Sequence, residues 1–365
     1  MNTSRIRDLR KRAGLTQADL AQRLGVDTSL ISRWEKGERE PSPQQTMDIA
    51  RAVGVTLDFL LNAQVQPRFM LRGAAPRGMD ENHEVRRAIT DAEQQIHFLH
   101  TVYETAGKPP RKLTLKYDLS AVPEPDLPDF AAELRGVLRL NHFVTLDELK
   151  QALRDHNLHV FEWAMPSNLS GMSYRGAFTV IFINALQPKP RRLFTLAHEL
   201  AHVLFHLDDE QGPGIVSLFS RRDDREERQA NQFAAELLMP LDQVNVLKQQ
   251  MAGRLRTPEG LESLAQMFNV SRDAMFYRLA TQRFYDWSEK KRFFSERPIR
   301  DDEPIQYRVD DIAGQVSPEF LHTALELYDA GLISAGKLAE WCFASRITTD
   351  AYLSDRYFEV ASLIV

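Results

Sequence analysis

The stretch Thr195–His206 reads TLAHELAHVLFH and carries three histidines and a glutamate among mostly apolar residues. His198 and His202 are four residues apart, so both imidazoles would point to the same side of a helix. This is the spacing that two zinc ligands need in an HExxH motif. Glu199 follows the first histidine, where a general base could take a proton from a water that zinc activates. The stretch therefore predicts a hydrolytic zinc centre on a helix.

The residues around the motif make it more specific than three fixed positions alone. Most other side chains in the stretch are apolar, which predicts a buried helix. Buried charged groups are costly without a partner or a metal, so a chance match is disfavoured. The metzincin class is excluded, because it requires Gly at 205 and His at 208 where this chain has Phe205 and Asp208.

A third metal ligand is expected from residues 226–240, which read EERQANQFAAELLMP. Glu227 and Asn231 are four residues apart on one helical face, so Glu227 could complete the site while Asn231 holds an imidazole tautomer. Glu226 is the alternative ligand. His206 could reach the same side as His202, but three histidines at this spacing rarely converge on one tetrahedral ion. We interpret His206 as a structural or rim histidine.

A second motif lies near the N-terminus, where residues 15–37 read LTQADLAQRLGVDTSLISRWEKG. Thr16 can cap one helix and a Gly-Val turn leads into a second, which is the layout of a helix-turn-helix. The second helix would offer its exposed side chains to base edges: Asp27, Thr28, Ser29, Ser32 and Arg33. Gln17, which begins the first helix, could donate to a phosphate. A helical bundle that binds no nucleic acid is the alternative interpretation.

Asp27 stands out in this predicted reading surface, because a carboxylate repels phosphate. It could accept from a cytosine amine, or it could simply cap the second helix. The sequence leaves both interpretations open.

Composition limits the remaining classes. The 365 residues are 43% hydrophobic, enough for one large domain or for two to three ordinary ones. The net charge of −5 excludes a uniformly basic nucleic-acid binder but not a local basic face. Basic residues crowd the start of the chain at Arg5, Arg7, Arg10, Lys11 and Arg12. The single cysteine, Cys342, excludes a disulfide framework and is expected to be a buried structural thiol. We find no signal peptide and no apolar run of membrane length, which favours the cytoplasm and no membrane partner.

Each of the two motifs resembles a different known family. The segments LTQADLAQRLGV, ISRWEKGEREPS and LDFLLN, in this order within residues 1–62, resemble the lambda-repressor-like, Xre-type helix-turn-helix domain. FTLAHELAHVLFH followed by EERQANQFAAELLMP, with TVIFIN and AAELRGVLRL before them, is similar to the ImmA/IrrE metallopeptidases over about residues 130–279. This second resemblance implies His198, His202 and Glu227 as zinc ligands and Glu199 as the catalytic base. One departure is Gln229, where the family often has Glu.

The predicted fold is mainly α with a small β-sheet (α+β), with strands at 159–163 and 176–184 and a polar loop over about 208–224. We expect the following domains: a helix-turn-helix domain at 1–64, a linker at 65–125, a zincin-like peptidase domain at 126–245, a helical extension of helix-turn-helix layout at 246–300 and a helical C-terminal region at 301–365.

The resemblances imply a DNA-binding regulator whose Zn²⁺ peptidase cleaves a repressor, a partner or itself to control phage, mobile-element, stress or toxin genes. They also imply a homodimer on a palindromic operator. The alternative is a repressor or antitoxin-like protein that does not cut, and whose zinc domain binds a toxin-like partner. A purely structural zinc site is disfavoured, because such a site has no use for Glu199.

Overall fold

A computed structural model describes residues 3–61, 69–71, 83–115, 126–207, 214–218, 225–294, 312 and 316–362. The chain divides into two compact units, Met1–Pro110 with Val309–Val365, and Arg111–Arg308. The described part of the first unit is helical apart from one short strand, and the second adds helices to a small sheet. The prediction of a mainly α, α+β fold is confirmed. The domain boundaries at 64, 125, 245 and 300 stay predictions.

Five short helices open the first unit: α1 (Thr3–Arg12), α2 (Gln17–Leu24), α3 (Thr28–Lys36), α4 (Pro43–Val53) and α5 (Leu57–Leu61). The Thr16 side chain caps α2 as predicted, because it accepts a hydrogen bond from the backbone N–H of Asp19. Gly25 ends α2 with a φ of +63°, a conformation that glycine adopts without strain. The inner faces share one core, which includes Ile6, Leu20, Ile31, Trp34, Ile49 and Leu60.

Strand β1 (Phe69–Leu71) and helix α6 (His83–Thr105) follow in the same unit. Both lie in the region predicted as a linker, yet most α6 side chains from Thr90 to Tyr103 are buried. Some of these are polar: Gln94 Oε1 accepts a hydrogen bond of 2.9 Å from the Thr56 backbone, and His97 Nε2 lies 2.9 Å from Asp58 Oδ2. Helix α6 therefore packs against the end of the helix-turn-helix region.

Four strands form the sheet of the second unit, in the order β2-β4-β3-β5: β2 (Leu158–Trp163), β3 (Leu169–Arg175), β4 (Thr179–Asn184) and β5 (Gly214–Leu218). Strand β2 pairs in parallel with β4, and β3 pairs antiparallel with β4 and β5. The sequence predicted β2 and β4 but not β3, whose residues LSGMSYR lack a regular alternation of apolar and polar positions. The predicted loop over 208–224 is wrong at Gly214–Leu218, which form β5 and include three successive buried residues, and its other positions, 208–213 and 219–224, lie outside the described residues.

The described residues of the second unit also form eight α-helices: α7 (Leu127–Val137), α8 (Leu146–Asp155), α9 (Lys189–Phe205), α10 (Arg225–Leu238), α11 (Leu241–Gln250), α12 (Pro258–Met267), α13 (Arg272–Thr281) and α14 (Lys290–Phe294). A short 3₁₀ turn, Trp287–Glu289, precedes α14. Helix α9 packs on β3, β4 and α10. Asn184 at the end of β4 fixes the turn before α9, because its side chain bonds the backbone of Met165, Leu169 and Leu186.

Helices α12 and α13 have the predicted helix-turn-helix layout, and Ser271 caps α13. In contrast to α3, however, α13 is largely buried, and Met275, Phe276 and Leu279 lie in the core of the unit. Lys290 of α14 covers its half-buried Tyr277, with Nζ 4.4 Å from the ring centre. Helix α13 is therefore a core helix without an exposed row of polar side chains for base reading.

The first unit closes with α15 (Pro318–Asp329), α16 (Ala335–Trp341) and α17 (Arg346–Ser362), which confirms a helical C-terminal region over residues 316–362. Cys342 is 1% exposed, as expected of a structural thiol, and burial raises its pKa to about 12. Among the described helices, none combines the length and the apolar character needed to cross a bilayer.

Candidate metal centre and nucleic-acid interface

Helices α9 and α10 bring three predicted ligands together. His198 Nε2 lies 3.1 Å from His202 Nε2, and the two Glu227 oxygens lie 3.3 Å from these nitrogens, one each. Two donors bound tetrahedrally to one zinc ion at 2.0–2.1 Å are about 3.3 Å apart, so the spacing fits that ion. All three residues are buried, and together they form a group of possible metal ligands in the described part of the chain.

Electrostatics prepares this group for a cation. Burial alone would raise the pKa of Glu227, but hydrogen bonds from His198 and His202 hold that pKa well below its usual value. Burial alone would lower the pKa of His198, yet the Glu227 and Glu199 carboxylates raise it. Without a metal the cluster therefore favours a positive charge at its centre, and a proton on one of the imidazoles can supply that charge. A divalent cation would take the place of this proton.

Glu226, the alternative third ligand, precedes Glu227 on α10 but is not part of the converging group. Neighbouring positions on a helix point about 100° apart, so only one of two adjacent glutamates can face α9. The choice between them stays a prediction, and the geometry favours Glu227.

The imidazole nitrogens that face away from this cluster also have partners. His198 Nδ1 lies 3.1 Å from Asn231 Oδ1, the contact that the spacing on α10 predicted. His202 Nδ1 lies 2.9 Å from His206 Nδ1, whose own Nε2 lies 3.0 Å from Gln229 Oε1. The sequence places His206 on the same side of the helix as His202, but it gives no sign that Gln229 continues this row of hydrogen bonds.

Glu199, the predicted base, is fully buried where α9 packs on β3. It occupies space that a glycine leaves open, because a Cβ built on Gly171 would lie 2.8 Å from Glu199 Oε1 and 2.9 Å from its Cγ. The pairing of β3 with β5 is irregular between Leu169 and Gly171. Sequence reasoning missed Gly171, although a glycine inside a strand often marks a close approach.

Helix α3 presents most of the predicted base-reading side chains to solvent. Asp27, Thr28, Ser29 and Arg33 are exposed and Ser32 is half-buried. Asp27 Oδ1 accepts a hydrogen bond of 2.7 Å from the Ser29 backbone N–H. Hydrogen bonds from the Ser29 side chain and then from its backbone lower the Asp27 pKa. Asp27 therefore caps α3, one of the two roles the sequence left open, and its contact with a base stays a prediction.

Gln17, the predicted phosphate donor, is held by a buried carboxylate. Its Nε2 donates 2.8 Å to Glu35 Oε2, while Arg10 donates to both Glu35 oxygens at 2.5 and 3.1 Å. An amide nitrogen has two hydrogens, so this contact fixes the side chain and leaves a second N–H. The Gln17 side chain is thus held at the start of α2 with one N–H left for the predicted contact with a phosphate.

The predicted crowding of basic residues on α1 gives less exposed charge than the sequence suggested. Arg5 and Arg10 are buried, and Arg12 forms an ion pair with buried Glu93 of α6. Only Arg7 and Lys11 of the five are exposed. The crowd on α1 is mostly structural, and the polar surface of α3 is the better candidate interface.

Comparison with known proteins assigns both parts of the chain. A helix-turn-helix family model matches residues 6–60, and the model of the M78 peptidases, described as the IrrE N-terminal-like domain, matches residues 153–280. An uncharacterized HTH-type transcriptional regulator of Methanothermobacter thermautotrophicus is 49% identical over 49 residues, which are 13% of this chain and 71% of that protein. The chain belongs to the helix-turn-helix transcriptional regulators. It carries an IrrE-like domain in addition, as the resemblances implied.

Two further relatives match the same N-terminal region. Repressor protein C2 of Salmonella phage P22 is 35% identical over 69 residues, 18% of this chain and 32% of the repressor. The uncharacterized HTH-type transcriptional regulator YqaE of Bacillus subtilis is 31% identical over 64 residues, 18% of this chain and 55% of YqaE. This regulator thus spans about a third and about half of these two relatives, and their likeness concerns the helix-turn-helix region. The group formed by His198, His202 and Glu227 lies within the region that matches the M78 model.

Proposed function

We propose that this regulator binds an operator through α3 and hydrolyses a peptide bond with a Zn²⁺ ion held by His198, His202 and Glu227. The observation that carries the proposal is the convergence of three buried residues inside the region similar to M78 peptidases: the two imidazole Nε2 atoms are 3.1 Å apart, and each lies 3.3 Å from one oxygen of Glu227. Three protein ligands leave a fourth position for substrate or water, which distinguishes a catalytic from a structural zinc site.

The division of labour follows from the positions of the side chains. Zinc, when bound, supplies Lewis-acid chemistry that makes water more acidic and the scissile carbonyl more electrophilic. Glu199 sits next to His198 on α9 and accepts a proton from the attacking water, whose oxygen bonds to the carbonyl carbon. As the C–N bond breaks, Glu199 returns the proton to the leaving amine, so that the base is regenerated. No protein nucleophile is needed.

The substrate we propose is a protein: a repressor, a binding partner or this chain itself. Cleavage would then release the genes that the operator controls, in a cytoplasmic regulator. The repressor relatives support operator binding. A dimer on a palindromic operator belongs to the same proposal, because a helix-turn-helix that acts in pairs reads two half-sites one DNA turn apart.

The decisive experiment compares the zinc-loaded protein with its Glu199→Gln variant. Each is incubated with a proteome-derived peptide library, and mass spectrometry reads new peptide termini and the intact mass of the regulator. We expect new termini only with the unchanged protein, although both bind about one zinc per chain. The same set of new peptide termini from both proteins would overturn the proposal that this regulator is a peptidase. Retained operator and partner binding in that case would support the antitoxin-like alternative, which binds without cutting.

A further inference from the structure

His202, His206 and Gln229 form a row of hydrogen bonds that the proposed mechanism does not use. We call these three residues the polar triad. His202 Nδ1 and His206 Nδ1 are 2.9 Å apart, and His206 Nε2 is 3.0 Å from Gln229 Oε1. The row starts at a fully buried imidazole and ends on a half-buried amide of α10.

The positions of the hydrogens follow from the last member of the row. An amide oxygen can only accept, so His206 Nε2 must carry the hydrogen that lies between it and Gln229. A neutral imidazole has one N–H, which leaves His206 Nδ1 as an acceptor. His202 Nδ1 must then donate to it. When a metal ion takes the place of the extra proton in the cluster, the lone pair of His202 is thereby placed on Nε2, the atom that faces His198 and Glu227.

The opposite direction of these hydrogen bonds would prevent His202 from binding a metal. If the Gln229 amide presented its nitrogen, His206 would accept there and donate from Nδ1, and His202 would carry its hydrogen on Nε2. That hydrogen would point into the cluster, and Nε2 could not bind a metal. The orientation of one amide therefore decides whether His202 is a ligand.

Water is a poor substitute for His206 as the hydrogen-bond acceptor of the His202 Nδ1–H. The residue is 0% exposed, whereas Asn231, which accepts from His198, is exposed to solvent. A buried N–H needs a protein acceptor, and His206 is the one that the structure places there. Outer partners of this kind fix the orientation of a ligand and its basicity.

We propose that His206 and Gln229 are positioning residues that hold His202 in the Nδ1–H tautomer required of a metal ligand. The inference rests on the proposed function, in that it concerns the same metal centre. It adds that the hydrogen-bond polarity of the polar triad, and not the ligand set alone, determines the affinity for zinc.

The test measures zinc affinity by competition with a coloured chelator, so that no peptide substrate is needed. His206→Phe and Gln229→Leu should each weaken zinc binding about 10- to 100-fold. Gln229→Glu should bind zinc as tightly as the unchanged protein or more tightly, because a carboxylate also only accepts. Gln232→Leu makes the same change at an exposed position of α10 and should have no effect. Thermal unfolding of the metal-free variants checks that each is folded.

A direct reading of the tautomers comes from long-range ¹H–¹⁵N NMR of the zinc-loaded protein. We expect His206 to carry its hydrogen on Nε2, and His206 with its hydrogen on Nδ1 would overturn the inference. Unchanged zinc affinity in His206→Phe and Gln229→Leu would also overturn it and leave the proposed peptidase intact. If the unchanged protein takes up no zinc, the proposed function fails first and the inference fails with it.

Discussion

A methyl group on Gly171 would stand 2.8 Å from Oε1 of Glu199. It would also stand 3.0 Å from the backbone oxygen of Phe182 in the neighbouring strand, so it could not move aside along that direction. The space beside β3 that admits the Glu199 carboxylate therefore exists because residue 171 has no side chain. Gly171, which is not a proposed metal ligand, thus affects the position of the predicted base, Glu199.

Gly171→Ala should consequently displace Glu199 without disturbing the three metal ligands. A misplacement of about 1 Å in a catalytic group can cost on the order of 100-fold in rate. We expect peptide cleavage to fall by about that factor while the zinc content stays near one per chain. Gly136→Ala is the matched control, since nothing lies within 4 Å of its Cβ position, and it should leave cleavage unchanged. Loss of zinc from Gly171→Ala would contradict this account.

Glu227→Ala should weaken zinc binding more than the loss of an outer partner does, which is typically about 10- to 100-fold. The reason is that a charged donor leaves the cluster and two imidazoles remain. Elemental analysis and chelator competition measure the effect. Glu226→Ala removes the same charge from the adjacent position and is the control. Should Glu226→Ala lose zinc and Glu227→Ala retain it, the third ligand has been misassigned.

The sequence predicted those parts of the molecule that short-range patterns encode. Helix caps, glycine stops and the four-residue spacings of His198 with His202 and of Glu227 with Asn231 are local, and the helices that they predict are present. The contact of Asn231 with His198 joins residues 33 positions apart, and it was expected from the chemistry of a zinc site rather than from a local pattern.

What the sequence did not predict depends on contacts between distant segments. Gly171 matters because of Glu199, 28 residues further along the chain, and His206 meets Gln229 across 23 positions. Strand β3 mixes glycine and polar residues, and only its neighbours on both sides make it a strand. The inward turn of the basic residues on α1 likewise required acids from other helices, such as Glu35.

Glu35→Ala should destabilise the helix-turn-helix region and weaken operator binding together. It would leave the buried Arg10 guanidinium without its carboxylate, a change that typically costs about 3 to 5 kcal/mol in unfolding free energy. It would also release Gln17, which loses its fixed position. Denaturant unfolding and fluorescence anisotropy with DNA measure the two effects. Glu38→Ala, at an exposed acid of the same region, should change stability by no more than about 0.5 kcal/mol.

Arg33→Ala should reduce both affinity and sequence discrimination. Arg33 is exposed on α3, and a bidentate contact with guanine contributes about 1 to 3 kcal/mol of discrimination. The measurement uses an operator selected from a random DNA library, with a scrambled duplex for comparison. Arg51→Ala, at an exposed position of α4, should lower the affinity for both duplexes equally or leave it unchanged. An equal loss on both duplexes for Arg33→Ala would make it a phosphate contact.

His159 should make the stability of the second unit fall below neutral pH. Burial in β2 lowers the His159 pKa to about 4, against about 6.5 in the unfolded chain. Between these values the unfolded chain binds a proton that the folded one excludes, so unfolding becomes easier as pH falls from 6.5 toward 4. His159→Phe should flatten this dependence in denaturant titrations at pH 7 and pH 5. His322→Gln changes an exposed histidine and should leave the dependence as it is, whereas an unaltered slope in His159→Phe would assign it to other groups.

The burial of Cys342 has a practical consequence for labelling. A thiol that is 1% exposed and has a pKa raised to about 12 is almost wholly protonated at pH 7, and maleimide reagents react with the thiolate. Because Cys342 is the only cysteine in the chain, the folded protein should behave toward such reagents as though it had none. A cysteine introduced at an exposed position outside the predicted base-reading surface, for example by Glu38→Cys, would then carry a fluorophore at a single site. DNA binding and zinc uptake could be followed by the light emitted from one molecule at a time, without first removing the native thiol.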